Sequence, residues 1–125
     1  MVQWINWNIE MVPEAKPSIS SNSVGIEISN GNGINRMAKK VGNYLKEKGF
    51  NVRRLTNANH FSHSRTKIIY QKGYDQTVEE ILKHIPLYQI KKEIGKLDRP
   101  QINVKILIGK DLIPYLEKFE NGEKS

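Results

Sequence analysis

The segment Asn30-Gly31-Asn32-Gly33 has the residue types of an anion-binding turn. In such turns, backbone N–H groups and the start of a helix hold a phosphate. The dinucleotide-binding fingerprint needs a third glycine at position 36, where the sequence has Arg36, and an acidic residue about 20 positions later, which is missing. We therefore expect a structural turn with positive φ at Gly31 or Gly33. A weaker anion site assisted by Arg36 stays an alternative.

A polar loop over residues 57–64 contains His60 and His63, which could begin a metal site, but no third ligand lies nearby in the sequence. Ser62 and Ser64 lie beside the histidines, yet no residue marks the orienting acid or the oxyanion hole that a hydrolase needs. The chain has no cysteine, which excludes disulfides, zinc-thiolate sites and thiol nucleophiles. We expect no catalytic residue, no metal and no cofactor.

Positive charge is concentrated in the middle of the chain. The formal net charge is +7, and residues 34–72 contain ten basic residues and one acidic residue, Glu47, whereas the flanking segments together are slightly negative. Such a stretch attracts anions. The candidate polyanion-binding residues are Arg36, Lys39, Lys40, Arg53, Arg54, Arg65 and Lys67, with Tyr70 and Tyr74 as aromatic groups that could stack on sugars or bases.

The candidate partners of this basic stretch are an anionic cell-wall polymer, nucleic acid and anionic lipid. No nucleic-acid-binding signature accompanies the charges. A solvated basic surface without a dedicated partner is the simpler alternative. No apolar run approaches the roughly 18 residues of a membrane span, and the first residues do not form a signal peptide.

The elements that must position these residues follow from the hydrophobic pattern. Residues 24–29, 50–56, 66–71 and 102–108 are predicted strands, and 88–94 is a possible short one. Residues 35–48 are a predicted helix with Asn35 as N-cap and Gly49 as its stop, and a second helix covers 75–85. We expect Val41 and Leu45 to face the sheet. Asp111 is expected to cap a turn or a short helix.

The predicted order is β-α-β-β-α-(β)-β, an α/β (α+β) fold with a mixed sheet and two helices, whose strand order the pattern leaves open. Residues 102–108 are the most apolar strand and should be central. Since the helices have only one apolar side, one sheet face should lack helices. We divide the chain into an extension and linker (1–23), a domain (24–113) and a tail (114–125). Trp4 and Trp7 lie in the extension and have no assigned role.

Four motifs, in order, resemble a known family. An apolar strand leads into Asn30-Gly31-Asn32-Gly33, and Asn57-Ala58 follows the second strand. A T-x-I-x-Y pattern at residues 66–70 leads to Gly73 and Tyr74, and an L-x-G-x-D pattern occupies 107–111 with Gly109 at its centre. Over residues 24–113 the sequence resembles the LytR C-terminal domain, a module attached to many LytR/CpsA/Psr cell-envelope proteins.

The resemblance implies a non-catalytic accessory domain, extracytoplasmic and part of a longer anchored or exported protein, with a cytoplasmic location as the alternative. The resemblance carries no established ligand, and binding of a cell-wall polymer or an envelope protein is our first hypothesis for the function. A nucleic-acid-binding module using residues 34–72 is the alternative function. A structural module that dimerises through an exposed sheet edge is a third hypothesis, and the oligomeric state is not predicted.

Overall fold

The computed structural model describes residues 24–87 and 89–119, so the expectations for the extension before Val24 lie outside the described residues. The elements in chain order are β1 (Gly25–Asn30), α1 (Met37–Glu47), β2 (Asn51–Asn57), β3 (Lys67–Tyr70), α2 (Asp75–Leu82), β4 (Lys91–Ile94), β5 (Val104–Ile108) and a 3-10 helix (Lys110–Tyr115). The predicted α/β order is confirmed, including the short fourth strand.

The five strands form one mixed sheet in the order β2-β1-β5-β3-β4. β1 is parallel to both β2 and β5, whereas β3 is antiparallel to β5 and parallel to β4. β5 is therefore the central strand, as its apolar sequence predicted. We call the edge where β1, β2 and β5 end and where β3 and β4 begin the carboxyl edge.

All described helices pack against one face of the sheet. Ile28, Ile106 and Ile68 lie side by side in the strand register and are fully buried on this face. Val41 and Leu45 of α1, predicted to face the sheet, are fully buried in the same core. The opposite side of the sheet carries no helix among residues 24–87 and 89–119, and we call it the helix-free face.

The end of α1 follows its sequence signal. Gly49 has φ +97°, a conformation that costs glycine little. The N–H of Phe50 donates to the Leu45 carbonyl at 3.1 Å, and the Gly49 N–H donates to the Lys46 carbonyl at 3.0 Å. These two bonds form a Schellman motif, which satisfies carbonyl groups at the helix end.

The start of α1 differs from the prediction. The N-cap residue is Arg36, whose φ of 63° lies in the left-handed region. The prediction of Asn35 as the N-cap was therefore wrong. No side chain caps α1. The side chains of Asn30 and Asn32 instead accept hydrogen bonds from N–H groups of residues 32–34, in the turn before the helix. Arg36 follows this turn and has the left-handed conformation, which is strained for an L-residue, directly before the first helical residue.

Candidate functional site

The structure distributes the predicted basic residues over three places. Arg36, Lys39 and Lys40 lie at the start of α1, on the side of the sheet that carries the helices. Arg53, Arg54 and Lys67 belong to strands whose register places them on the helix-free face. Arg65 precedes β3 at the carboxyl edge and is exposed. Only part of the predicted cluster is thus brought together.

A β-bulge in β2 brings Arg53 and Arg54 to the same face. The register with β1 shifts between Ile26 and Glu27, so that Val52 pairs with Ile26, Arg54 pairs with Glu27, and Arg53 is the extra residue. Bulges bend the strand and break the alternation of side chains. Strict alternation would have turned Arg54 toward α1.

Contacts on both sides of the sheet agree with this arrangement. A methyl group built on Gly42 of α1 would lie 3.5 Å from Cγ1 of Val52 and 2.9 Å from Cδ2 of Leu55, so both side chains face the helix. A methyl group built on Gly25 would lie 2.9 Å from Cδ of Arg53. Because Gly25 alternates with the helix-facing Ile26, the Arg53 side chain lies over the helix-free face.

Two rows of side chains cross the helix-free face. In strand order, one row contains Arg54, Glu27, Lys105, Ile69 and Glu93, and the other contains Thr56, Ser29, Leu107, Lys67 and Lys91. With Arg53, the face carries five cationic side chains and two carboxylates. Lys105 was not among the predicted site residues, although its place between the apolar residues Val104 and Ile106 would have indicated this face.

The carboxylates are positioned differently in the two halves of this face. At β4, Glu93 pairs with Lys91 at 3.0 Å and with Lys67 at 3.7 Å, and the hydrogen bond from Lys91 is the main cause that lowers the pKa of Glu93. In β1, Glu27 is only 2% exposed, and its Oε2 accepts a hydrogen bond from the Thr56 hydroxyl at 2.7 Å. The other oxygen, Oε1, has no hydrogen-bond partner. On the half of the helix-free face formed by β3 and β4, Glu93 thus neutralises part of the charge of Lys67 and Lys91.

Three arginines remain on the other half of the face. Arg53, Arg54 and Arg99 line a shallow depression of about 150 Å³ together with Gln101 and Ile102. None of the three makes an ion pair with another described residue. Arg99 was missed by the sequence analysis because it lies in a turn far along the chain from the basic stretch. We call Arg53, Arg54 and Arg99 the arginine cluster.

The two predicted aromatic residues lie away from the arginine cluster. Tyr70 is partly buried against the helix-side core, and its hydrogen bond to the Asp75 carboxylate is the main cause that raises the pKa of Tyr70. Tyr74 is the N-cap residue of α2 and packs against the same core. Neither ring is placed to stack on a ligand bound to the helix-free face.

The glycine-rich turn is occupied by its own asparagines. The N–H groups of Asn32 and Gly33 donate to Oδ1 of Asn30, the Ile34 N–H donates to Oδ1 of Asn32, and the Gly31 N–H donates to the Ile108 carbonyl. Gly33 has φ +82°, which confirms the predicted positive φ. Because every N–H group of residues 31–34 is already bonded, the turn offers none to an anion, and its role is structural.

The T-x-I-x-Y and L-x-G-x-D patterns form one structural unit. The Thr66 N–H donates to both carboxylate oxygens of Asp111 at 3.0 Å, and the Thr66 hydroxyl donates to Oδ1 of Asp111 at 2.7 Å. The Gly109 N–H donates to the Thr66 hydroxyl at 3.0 Å. A methyl group on Gly109 would lie 2.3 Å from the carbonyl carbon of Arg65. Asp111 thus caps the start of β3 rather than the 3-10 helix, which corrects the expectation.

The remaining predicted turn residue, Gly73, has φ +100° and lies between β3 and α2.

In the polar loop, the rings of His60 and His63 stack with their centroids 4.1 Å apart, and the Ser62 hydroxyl lies 2.8 Å from Nδ1 of His60. Burial is the main cause that lowers the pKa of His63, whose Nε2 has no hydrogen-bond partner. Among the described residues, no three side chains are arranged to hold a metal ion.

Comparison with known proteins identifies the family. Within the described ranges, no helix is both long and apolar enough to cross a membrane. The family model described as "LytR cell envelope-related transcriptional attenuator" matches residues 23–112. Neither the curated proteins nor the solved structures gave a significant match. The match covers most of the chain and the four motifs whose structural roles are described above, and the chain therefore belongs to the LytR C-terminal domain family, an accessory domain of cell-envelope proteins.

Proposed function

We propose that this domain is a non-catalytic, extracytoplasmic module that binds an anionic cell-wall polymer through its helix-free face. The observation that carries the proposal is the arginine cluster, in which the bulge of β2 places Arg53 and Arg54 beside Arg99. None of the three makes an ion pair with a described residue, although Glu27 lies opposite Arg54 in the strand register. Lys105 extends this positive surface onto the central strand.

The chemistry of the arginine cluster suits phosphate groups. A guanidinium group presents several donors in a plane and binds phosphate oxygens in pairs, which a lysine cannot do. The depression between the arginines, about 150 Å³, is smaller than the roughly 300–1,000 Å³ of sites that enclose small molecules. An extended polymer that contacts the face with successive phosphates fits this shape better than a compact ligand.

Two other partners of the domain are less well supported. Nucleic-acid-binding surfaces combine charge with aromatic stacking, and Tyr70 and Tyr74 lie on the other side of the sheet. Protein interfaces have an apolar centre. Among the described strand residues on the helix-free face, the apolar residue Leu107 is buried and Ile69 is the one apolar residue that is partly exposed.

The test is a titration with wall teichoic acid, heparin and single-stranded DNA at low salt and at about 0.15 M salt. The variant Arg53→Gln/Arg54→Gln removes two charges from the arginine cluster, and Arg36→Gln/Lys39→Gln removes two from α1 as the matched control. We expect the first variant to weaken binding to teichoic acid by about three- to tenfold at low salt, as for two exposed charge contacts, and the control to change it much less.

Equal losses in both variants would contradict a defined binding face. Binding to DNA that is tighter than binding to teichoic acid at about 0.15 M salt would favour the nucleic-acid alternative. An absence of binding to all three polymers would refute the proposal and leave an envelope protein as the partner to seek.

A further inference from the structure

A second candidate site lies on the β4 side of the sheet. An open cleft of about 670 Å³ is bounded by α2, by the starts of β3 and β4 and by Leu87, Gln89 and Ile90, which lie between α2 and β4. Its volume lies within the roughly 300–1,000 Å³ of small-molecule sites. Apart from Thr66, whose hydroxyl is bonded to Asp111, no residue named in the family motifs and no member of the arginine cluster lines this cleft.

The rim of the cleft is positively charged. Arg65, Lys67, Lys91 and Lys92 line it, and Glu79 is the one acidic residue among its lining groups. Glu93, which is not a lining residue, pairs with Lys67 and Lys91. Lys92 donates to Glu79 at 2.7 Å, and this hydrogen bond is the main cause that raises the pKa of Lys92. Arg65 is exposed and makes no ion pair with a described residue.

The interior of the cleft is apolar. Leu82, Leu87 and Ile90 are partly buried and contribute to its wall. Leu87 also lines a neighbouring depression of about 340 Å³, which it shares with Ile85, Pro86 and Tyr115. Tyr115 is 41% exposed, which is high for a large apolar side chain. An apolar surface therefore runs from the charged rim over Leu87 to Tyr115.

We propose that this cleft binds an amphiphilic anion. Its phosphate or carboxylate head lies at the rim beside Arg65, and its alkyl chain passes over Leu87 toward Tyr115. Arg65, the one rim cation that makes no ion pair with a described residue, selects the head, and the adjoining apolar depression accommodates the chain. This site goes beyond the polymer-binding face and uses a different arginine.

The test is a calorimetric titration with alkyl phosphates of four, six and eight carbons below their micellar concentrations, compared with inorganic phosphate and octanol. Each methylene buried in the cleft should tighten binding by about three- to fourfold. Inorganic phosphate and octanol should each bind at least about tenfold more weakly than octyl phosphate. Equal affinity for inorganic phosphate and octyl phosphate, or no binding of any alkyl phosphate, would overturn the proposal.

Variants of the cleft and of the other face distinguish the two sites. Arg65→Gln changes an exposed side chain and should weaken octyl phosphate binding while leaving the melting temperature unchanged. Leu87→Ser should abolish the dependence on chain length. Arg53→Gln should leave octyl phosphate binding intact whether or not the polymer proposal holds. A loss in Arg53→Gln that equals the loss in Arg65→Gln would overturn the assignment to the cleft.

The same head and chain occur in a free amphiphile and in a membrane lipid. A second arm therefore measures co-sedimentation with phosphatidylcholine vesicles that do or do not contain phosphatidylglycerol. Sedimentation that depends on phosphatidylglycerol and on Arg65 would identify a bilayer lipid as the source. Binding of octyl phosphate without such sedimentation would identify a free amphiphile.

Discussion

Replacement of Asp111 by alanine tests the structural unit that joins the start of β3 to the end of β5. The substitution removes three hydrogen bonds from Thr66, which is fully buried. A hydrogen bond to a charged group contributes about 1.5–3 kcal/mol, and a buried donor left without a partner costs about 1–3 kcal/mol. Since the three bonds share one carboxylate, they do not add independently, and we expect a loss of about 2–4 kcal/mol in the free energy of unfolding.

Urea denaturation followed by circular dichroism measures this loss as a lower midpoint with an unchanged slope. Asp111→Asn keeps one acceptor oxygen and should lose about 1 kcal/mol, the contribution of a typical hydrogen bond. Asp98→Ala, at an exposed turn position, is the matched control and should stay within about 0.5 kcal/mol. A loss below about 0.5 kcal/mol in Asp111→Ala would refute the role assigned to this carboxylate.

Four further changes test other parts of the molecule. Leu45→Ala should lower the free energy of unfolding by about 2–5 kcal/mol in urea denaturation because the side chain is fully buried; a loss under about 0.5 kcal/mol would show that α1 packs in another phase. Arg36→Gly should raise the melting temperature, because a left-handed conformation costs an L-residue about 1–2 kcal/mol and glycine much less; a decrease would show that the Arg36 side chain contributes more than the strain costs. Because the pKa of His63 in the folded protein is lower than its ordinary value of 6.5, the neutral imidazole contributes stability above pH 6.5, and this contribution is lost as the pH falls toward the folded-state pKa. His63→Gln should therefore make the melting temperature fall less steeply as the pH decreases, and an unchanged dependence of the melting temperature on pH would contradict this. Glu27→Gln removes a carboxylate from the helix-free face and should tighten teichoic acid binding up to about fivefold, whereas weaker binding would show that Glu27 itself contacts the polymer.

Much of the fold was predictable because the apolar pattern determines which face each element buries. The apolar character of residues 102–108 and the helical spacing of Val41 and Leu45 correctly predicted the central strand and the packed side of α1. Gly49 was predicted to end α1, and Gly31 or Gly33 was predicted to have positive φ; Gly33 does, and Gly49 follows the last turn of α1 with positive φ as well. These signals depend on neighbouring residues alone, so they can be read from the sequence.

The errors arose where the choice between competing polar partners is made only in the folded structure. Asn35 has the chemistry of an N-cap, but the turn is satisfied by Asn30 and Asn32, so the helix starts after a strained Arg36. Asp111 follows a strand and precedes a helix, yet its partner is Thr66, which lies far away in the sequence. A single sequence does not indicate which of several polar partners a capping side chain will choose.

The candidate binding face was only partly predictable for a similar reason. Charge density along the chain indicated residues 34–72, but residues adjacent in that stretch lie on opposite sides of the sheet. The bulge that turns Arg54 away from α1 depends on the pairing of β1 with β2, and Arg99 joins the arginine cluster only after folding.

The most direct test of the proposed binding face is an NMR titration that observes the side-chain Nε–Hε groups of the five arginines while teichoic acid is added. Each arginine reports on a different place, since Arg36 lies at the start of α1, Arg65 at the cleft, and the other three in the arginine cluster. Binding at the proposed face should shift the signals of Arg53, Arg54 and Arg99 together and leave the signal of Arg36 unchanged. A shift of Arg36 with unchanged signals from the arginine cluster would contradict this expectation.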